Sequence, residues 1–207
     1  RRWKAAQDKQ SGELDFSSVA VAGLGAEVTE VPTLAKMQEM GVPPGAFSQG
    51  YGIAEVVATV CSGSQGVGRN VGKIARSGNV SEASRRGTHI VIADKDTLCP
   101  LSDGSTGQIY IQGPGVATAY WGRPGLTKET FGLKLVGYPG SWLATGDIGM
   151  IDAAEDGGDR HLCVTGRIKE LIIVGGRNLC PTDLEQVVMH EAGEGILRPG
   201  SCAVVQV

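Results

Sequence analysis

The sequence predicts a mixed α/β fold, and three features of the chain support this class. Apolar residues make up 41% and charged residues 20% of the 207 residues, which is typical of a globular protein with a buried core. Two segments that open on proline, at 32–40 and 181–188, carry apolar residues at helical spacing. Short runs of strand-forming residues lie between glycine-rich turns, at 18–24, 56–60, 88–93, 107–112, 161–165 and 171–174.

Composition and charge argue against several classes of function. A net charge of −3 and an aromatic content of 5% give no sign of a basic or base-stacking surface for nucleic acid. No run of about 18 apolar residues is present, so no transmembrane segment is predicted. The five cysteines form no C-x-x-C pair, which favours reduced thiols in a cytoplasmic protein over a zinc site or a disulfide framework.

The first predicted strand, at 18–24, is expected to be buried and runs into Gly25, Ala26 and Glu27. A glycine at the end of a strand lets a planar ligand lie close against the backbone. An ordinary turn between a strand and a helix explains this segment at least as well. The helix predicted at 32–40 follows, and its methionines are interpreted as core residues rather than as ligands.

A second glycine-rich segment, Gln-Gly-Tyr-Gly-Ile-Ala-Glu, occupies 49–55. Taken alone, it is interpreted as a tight turn that presents Tyr51 and Glu55 and then enters a buried strand at 56–60. Its glycines also allow the backbone to approach a ligand closely.

The middle of the chain contains one false match and several structural segments. Residues 62–73 have the glycines and lysine of a phosphate-binding loop, but Val67 and Ile74 stand where such a loop needs glycine and a hydroxyl residue. We therefore predict an ordinary loop there, and an exposed polar loop at 77–87. The strands and turns of 107–131 are interpreted as architecture without a catalytic residue.

The most informative stretch is 141–185, where two glycine turns each precede a charged residue. Gly146 lets the backbone turn before Asp147, and Gly166 does the same before Arg167. A carboxylate and a guanidinium presented in this way suit a ligand with hydroxyl and phosphate groups, because the acid accepts paired hydroxyl hydrogen bonds and the arginine donates to oxygen.

In this order, the motifs resemble those of the adenylate-forming enzymes, which include acyl-CoA synthetases, luciferases, nonribosomal-peptide adenylation domains and fatty acyl-AMP ligases. The resemblance covers most of the chain. Its motifs lie at 15–18, 25–27, 49–55, 107–131, 141–149 and 164–185. Ala54, Pro114 and Trp121 are similar to the fatty acyl-AMP ligase form. The short gap at 56–89 lacks the insertion typical of those ligases, which leaves acyl-CoA synthetases open.

The resemblance implies a nucleotide site, a metal ligand and a hinge. Seven residues are expected to bind the nucleotide: Gly25, Ala26, Glu27, Tyr51, Gly52, Asp147 and Arg167. Tyr51 would offer its aromatic face to adenine, Asp147 would hold the ribose hydroxyls, and Arg167 would bind the ribose or a phosphate. Glu55 would bind Mg²⁺ near the phosphates. Lys169 matches the hinge position of the family, and an exposed lysine that opens a strand is the alternative.

The same resemblance implies a domain organisation. Residues 1–166 would form the C-terminal part of the large AMP-binding domain with a β-barrel-like portion at 88–165, residues 167–170 the hinge, and residues 171–207 the start of the small α+β domain. The family has a phosphate loop before these segments and a catalytic lysine after them. The chain is therefore expected to be an internal fragment, with no catalytic residue of its own, that does not form an acyl-adenylate alone.

The function implied for the full-length parent is ATP- and Mg²⁺-dependent activation of a carboxylic acid, above all a fatty acid. The acyl-AMP would then pass its acyl group to coenzyme A or to the phosphopantetheine thiol of a carrier protein, such as an acyl carrier protein or a module of a polyketide or peptide synthase. Two alternatives stay open. One is a non-catalytic nucleotide-binding or interaction module that retains the adenylate-binding fold, and the other is a plain α/β structural domain.

Overall fold

The structure is a computed structural model that describes residues 15–27, 29, 31–57, 59–64, 70–71, 74–153, 158–175, 177–192, 196–197 and 201–205. Most of the loop predicted at 62–73 lies outside the described residues. Every described helix is too short or too polar to span a membrane.

The first sheet has three strands and carries two of the glycine-rich segments. Its strands are β1 (Ala22–Leu24), β2 (Phe47–Tyr51) and β3 (Cys61–Ser64), in that order. Strands β1 and β2 are parallel and β2 and β3 are antiparallel. The crossover between β1 and β2 contains helix α1 (Val31–Glu39), whose Leu34 is fully buried in a cluster with Phe47. Because the parallel strands end at the same edge, the segments that follow them meet there.

The second sheet has five antiparallel strands and corresponds to the predicted barrel-like portion. It is built from β6 (Gly78–Asn79), β7 (His89–Ala93), β8 (Gly107–Gln112), β9 (Leu143–Asp152) and β10 (His161–Arg167), in the order β6-β10-β9-β8-β7. Strand β9 is central, and its register with β10 shifts between Val164 and Gly166. The short strands β4 (Asn70–Val71) and β5 (Ile74–Ala75) form a separate pair, where the sequence predicted a loop.

The main core joins the two sheets. Alternate residues of the antiparallel sheet, such as Ile109, Leu143 and Leu162, pack with Tyr51 and Val56 from the first sheet and the turn after it. A second cluster on the other face of the antiparallel sheet is built from Val91, Ala93, Tyr110, Leu135 and Trp142. The antiparallel sheet is thus covered on both faces, and the predicted mixed α/β class is confirmed.

Three predictions about elements are corrected. The strand predicted at 56–60 is not present in the described residues of that range, because Val56 ends a 3₁₀ turn (Ala54–Val56) and Val57 turns the chain in the left-handed region. Residues 77–87 are not an exposed loop, because they contain β6 and helix α2 (Val80–Arg85), whose Val80 and Ala83 are buried. The first strand is shorter than predicted and is half-buried rather than buried.

The C-terminal described part contains a hairpin and a helix. Strands β11 (Ile172–Val174) and β12 (Arg177–Leu179) are antiparallel, and helix α4 (Pro181–Glu191) follows them. Helix α3 (Pro124–Thr130) lies earlier, between β8 and β9. The apolar side predicted for α4 is not buried here, since Val187 is 58% and Val188 44% exposed.

Candidate functional site

A cavity of about 400 Å³ lies where the two sheets and the start of α4 meet. It brings together residues from six separate stretches of the sequence between positions 26 and 182. Six of the seven predicted nucleotide-binding residues line it, namely Ala26, Glu27, Tyr51, Gly52, Asp147 and Arg167. Gly25 lies just behind this lining, because an added Cβ there would be 3.1 Å from the carbonyl oxygen of Gly50.

The glycine-rich wall of the cavity follows from the parallel pairing of β1 and β2. Leu24 is paired with Gln49, so Gly25 and Gly50 come next to each other at the end of that pairing. The next residue, Ala26, has φ of 70°, a backbone conformation that residues other than glycine adopt rarely. The backbones of residues 25 and 50 can approach closely because Gly25 carries no side chain, since a Cβ there would lie 3.1 Å from the carbonyl oxygen of Gly50.

Asp147 is the centre of the hydrogen bonding in the cavity. Its carboxylate is nearly buried, with the residue 5% exposed. The hydroxyl of Tyr51 donates to Oδ2 at 2.6 Å, and Nε of Arg167 donates to Oδ1 at 3.0 Å. An ionised carboxylate offers about four acceptor positions, so one position on each oxygen can still accept a hydrogen bond from a ligand. Two neighbouring hydroxyl groups, such as those of a ribose, match this arrangement.

Tyr51 is placed to fix the Asp147 carboxylate from the other sheet. Burial, and secondly the charge of Asp147, raise the pKa of the Tyr51 hydroxyl above its usual range, so the group stays protonated and donates. The ring packs in the main core and the residue is only 8% exposed. Its predicted contact with adenine therefore stays a prediction, while its contact with Asp147 is a feature that the sequence did not indicate.

Arg167 reaches Asp147 because the two residues are direct partners in the register of β9 and β10. Its side chain is 62% exposed, so the ion pair is open to water and contributes little to stability. The cavity also contains the carboxylates of Glu27 and Glu170. Three carboxylates and one guanidinium make the cavity better suited to a hydroxyl-rich, uncharged part of a ligand than to a free triphosphate.

Glu55 lies in the 3₁₀ turn at the end of the glycine-rich segment and does not line the cavity. Its Oε1 accepts a hydrogen bond from the hydroxyl of Tyr120 at 2.5 Å. Within the described residues, no group of three or more potential metal ligands is present. A Mg²⁺ ion that arrives with nucleotide phosphates needs only one or two protein carboxylates, so Glu55 fits that kind of metal site and does not fit a resident ion.

The start of the C-terminal part supplies residues to the cavity that sequence analysis missed. Lys169 lies in an exposed 3₁₀ turn (Ile168–Glu170) directly after Arg167, and its neighbour Glu170 lines the cavity together with Thr182 from the first turn of α4. The thiol of Cys180 donates to the carbonyl oxygen of Thr165 at 3.2 Å. The hinge role of Lys169 stays a prediction.

Comparison with known protein families identifies the chain. The model of the AMP-binding enzyme family matches residues 2–121, which is more than half of the sequence. The chain belongs to the AMP-binding enzyme family. The resemblance predicted from the motifs is thus confirmed, and the match includes Gly25 to Glu27, the 49–55 segment and Tyr120.

Several relatives in this AMP-binding enzyme family share the fold and a good part of the sequence. A 4-hydroxyphenylalkanoate adenylyltransferase from Mycobacterium tuberculosis is 33% identical over 92% of this chain and 34% of its own length. The long-chain-fatty-acid–AMP ligase FadD28 from the same organism is 38% identical over 56% of this chain and 19% of its own. A fatty acyl-adenylate ligase from L. pneumophila, solved with acyl adenylate and pyrophosphate, is 31% identical with a TM-score of 0.62 over 89% of this chain and 35% of that chain. The chain spans about a third of the length of the first of these relatives.

Proposed function

We propose that this chain supplies the nucleotide-binding part of an ATP-dependent ligase that activates a carboxylic acid as an acyl-adenylate. The observation that carries the proposal is the nearly buried carboxylate of Asp147, held by Tyr51 and Arg167 in a cavity walled by the glycine-rich segments. The remaining acceptor positions of Asp147 suit the two hydroxyls of a ribose. Gly52 lines the same cavity and adds no side chain to it, which suits the close approach of a flat base.

In the proposed reaction, a carboxylate oxygen of the acid attacks the α-phosphorus of ATP and forms the P–O bond of acyl-AMP. The bond between the α- and β-phosphates breaks, and pyrophosphate leaves. The residues of this chain would act mainly by positioning, with Asp147 fixing the ribose and Arg167 offsetting negative charge near it. Glu55 would bind the Mg²⁺ ion that accompanies the phosphates.

We further propose that the acid has a long aliphatic or arylalkyl chain, because the relatives named above act on a long-chain fatty acid or a hydroxyphenylalkanoate. The acyl group would then pass to a thiol, with formation of a thioester and release of AMP. That thiol would belong to coenzyme A or to the phosphopantetheine arm of a carrier protein. Residues 167–170 would act as the hinge between a large domain at 1–166 and the small domain that begins at 171.

The proposal is tested in two steps. Calorimetric titration of the 207-residue chain with adenosine and AMP should detect binding that Asp147→Asn weakens by about tenfold or more, because the substitution removes the charge that strengthens hydrogen bonds to the ribose. The matched control is Asp94→Asn, which changes a half-buried aspartate that does not line the cavity.

The second step separates catalysis from binding. A longer protein that contains this chain should exchange pyrophosphate into ATP only when a suitable acid is added, and a panel of fatty and arylalkanoic acids would find that acid. Nucleotide binding without exchange across the panel would favour the non-catalytic nucleotide-binding module. The absence of both binding and exchange would refute the proposed function.

A further inference from the structure

The segment at 113–120 holds the turn that carries Glu55 at two points. The backbone N–H of Ala117 donates to the carbonyl oxygen of Glu55 at 2.8 Å. The hydroxyl of Tyr120 donates to Oε1 of the same residue at 2.5 Å. Gly115 lies close by, since an added Cβ there would be 3.7 Å from the carbonyl oxygen of Val56. Both the backbone and the side chain of Glu55 are thus fixed by one segment.

Tyr120 is itself held firmly by helix α3 and the residue that follows it. Its backbone N–H donates to Oγ1 of Thr127 at 3.0 Å. Its ring packs edge-to-face on the buried ring of Phe131, with centroids 5.0 Å apart and an angle of 63° between the planes. A side chain fixed at its backbone and at its ring presents its hydroxyl in a defined direction, at small entropic cost.

The chemistry of the pair matches a donor that orients a carboxylate. A tyrosine hydroxyl carries its proton at neutral pH, so Tyr120 acts as the donor and Oε1 of Glu55 as the acceptor. The turn that presents Glu55 contains a strained residue, since Val57 has φ of 52° and ψ of 48° although it is β-branched. Such strain is retained mainly where the surrounding structure fixes a functional geometry.

We propose that Tyr120 is a positioning residue for Glu55, whose carboxylate it orients so that the other oxygen can bind the metal ion of a Mg–nucleotide complex. The inference rests on the proposed function, and it assigns a role to a segment that the sequence indicated as architecture only. A hydrogen bond of this kind, made to a metal-binding carboxylate from outside the coordination sphere, typically changes metal affinity by about 10- to 100-fold.

The test measures ATP affinity of the full chain with Mg²⁺ and with EDTA, for the wild type and for Tyr120→Phe. The substitution removes only the hydroxyl and keeps the ring on Phe131. We expect the gain in affinity from Mg²⁺ to fall by about tenfold in Tyr120→Phe, with the affinity in EDTA unchanged. The control is Tyr110→Phe, which removes a buried hydroxyl that donates to Gln108 at 3.1 Å and should leave the Mg²⁺ gain as in the wild type.

A second comparison uses Glu55→Gln as the background. If Tyr120 acts through Glu55, then Tyr120→Phe has no further effect on the Mg²⁺ gain once Glu55 is replaced. An unchanged Mg²⁺ gain in Tyr120→Phe, or an equal loss of affinity with and without Mg²⁺, would overturn the positioning role. If the wild type binds ATP equally well in EDTA and in Mg²⁺, both the positioning role of Tyr120 and the metal-binding role of Glu55 are overturned. The proposed binding of nucleotide in the cavity is not affected by that result. A wild type that binds no ATP would overturn the proposed function and this inference with it.

Discussion

Replacing Tyr51 by phenylalanine tests how the cavity recognises a ribose. The substitution removes the hydroxyl that donates to Oδ2 of Asp147 at 2.6 Å and leaves the ring in the main core. Asp147 is 5% exposed, so water does not readily replace the lost donor. A hydrogen bond to a buried ionised group contributes about 1.5–3 kcal/mol, and we expect the free energy of unfolding to fall by that amount. For a chain of this size, the melting temperature should fall by about 3–12 °C.

The binding assay compares adenosine with 2′-deoxyadenosine and 3′-deoxyadenosine. If Asp147 accepts both ribose hydroxyls, removal of either one should weaken binding to the wild type by about tenfold, because one hydrogen bond to a carboxylate is lost. In Tyr51→Phe the carboxylate is held only by Arg167, whose side chain is 62% exposed. We expect the discrimination between adenosine and its deoxy forms to fall below about threefold, because the carboxylate no longer faces both hydroxyls.

A loss of packing alone would give a different result. It would weaken the binding of adenosine and of both deoxy forms by the same factor and leave their ratio unchanged. Tyr110→Phe, which loses a hydroxyl of the same kind elsewhere in the core, serves as the control for stability. A Tyr51→Phe variant that still discriminates tenfold would refute the claim that Tyr51 orients Asp147.

Three further predictions concern stability. Val57→Gly should raise the free energy of unfolding by up to about 1 kcal/mol in urea denaturation, because residue 57 is left-handed and 81% exposed and glycine removes the strain; a lower midpoint would contradict it. Gly149→Ala should prevent folding or lower the melting temperature strongly, because the added Cβ would lie 2.5 Å from the carbonyl oxygen of Cys163. Gly125→Ala is the control and should have little effect on the melting temperature, because no atom lies within 4 Å of the added Cβ there. Burial raises the pKa of Cys61 to about 12 and that of Cys163 to about 11, so the folded state keeps protons that the unfolded state loses. The free energy of unfolding should therefore fall as pH rises from about 9 to about 11. Denaturation curves at several pH values would check this decrease, which should be smaller in Cys163→Ala.

The parts of the fold that depend on local patterns were predictable from the sequence. The strand at 107–112 shows strict alternation, and it is a strand with those bounds in the structure. The helix at 32–40 was predicted from its proline and apolar spacing, and α1 lies within one residue of it. The glycine turns predicted before Asp147 and Arg167 are not formed, because Gly146 lies within β9 and Gly166 within β10. Asp147 and Arg167 meet instead as direct partners in the register of these two strands.

Other features were missed because tertiary contacts decided them. The Val-Val-Ala-Thr-Val run at 56–60 has strong strand propensity, but Val56 packs into the main core and the chain turns at Val57. Helix α2 was missed although Asn79 accepts a hydrogen bond from the backbone of Glu82, and an asparagine followed three residues later by glutamate is a known signal for a helix start. That signal could have replaced the predicted loop.

The site shows most clearly what a single sequence leaves out. Tyr51 and Asp147 are 96 positions apart, and Tyr120 and Glu55 are 65 apart, so no periodicity or spacing links either pair. Each motif could be recognised alone, but each tyrosine–carboxylate bond depends on how two folded segments meet. Asp147 belongs to the central strand of one sheet and Tyr51 to the middle strand of the other. The hydrogen bond between Tyr51 and Asp147 therefore joins the two sheets. A change in how the sheets are placed relative to each other would change the orientation of the Asp147 carboxylate, and with it the binding of a ribose.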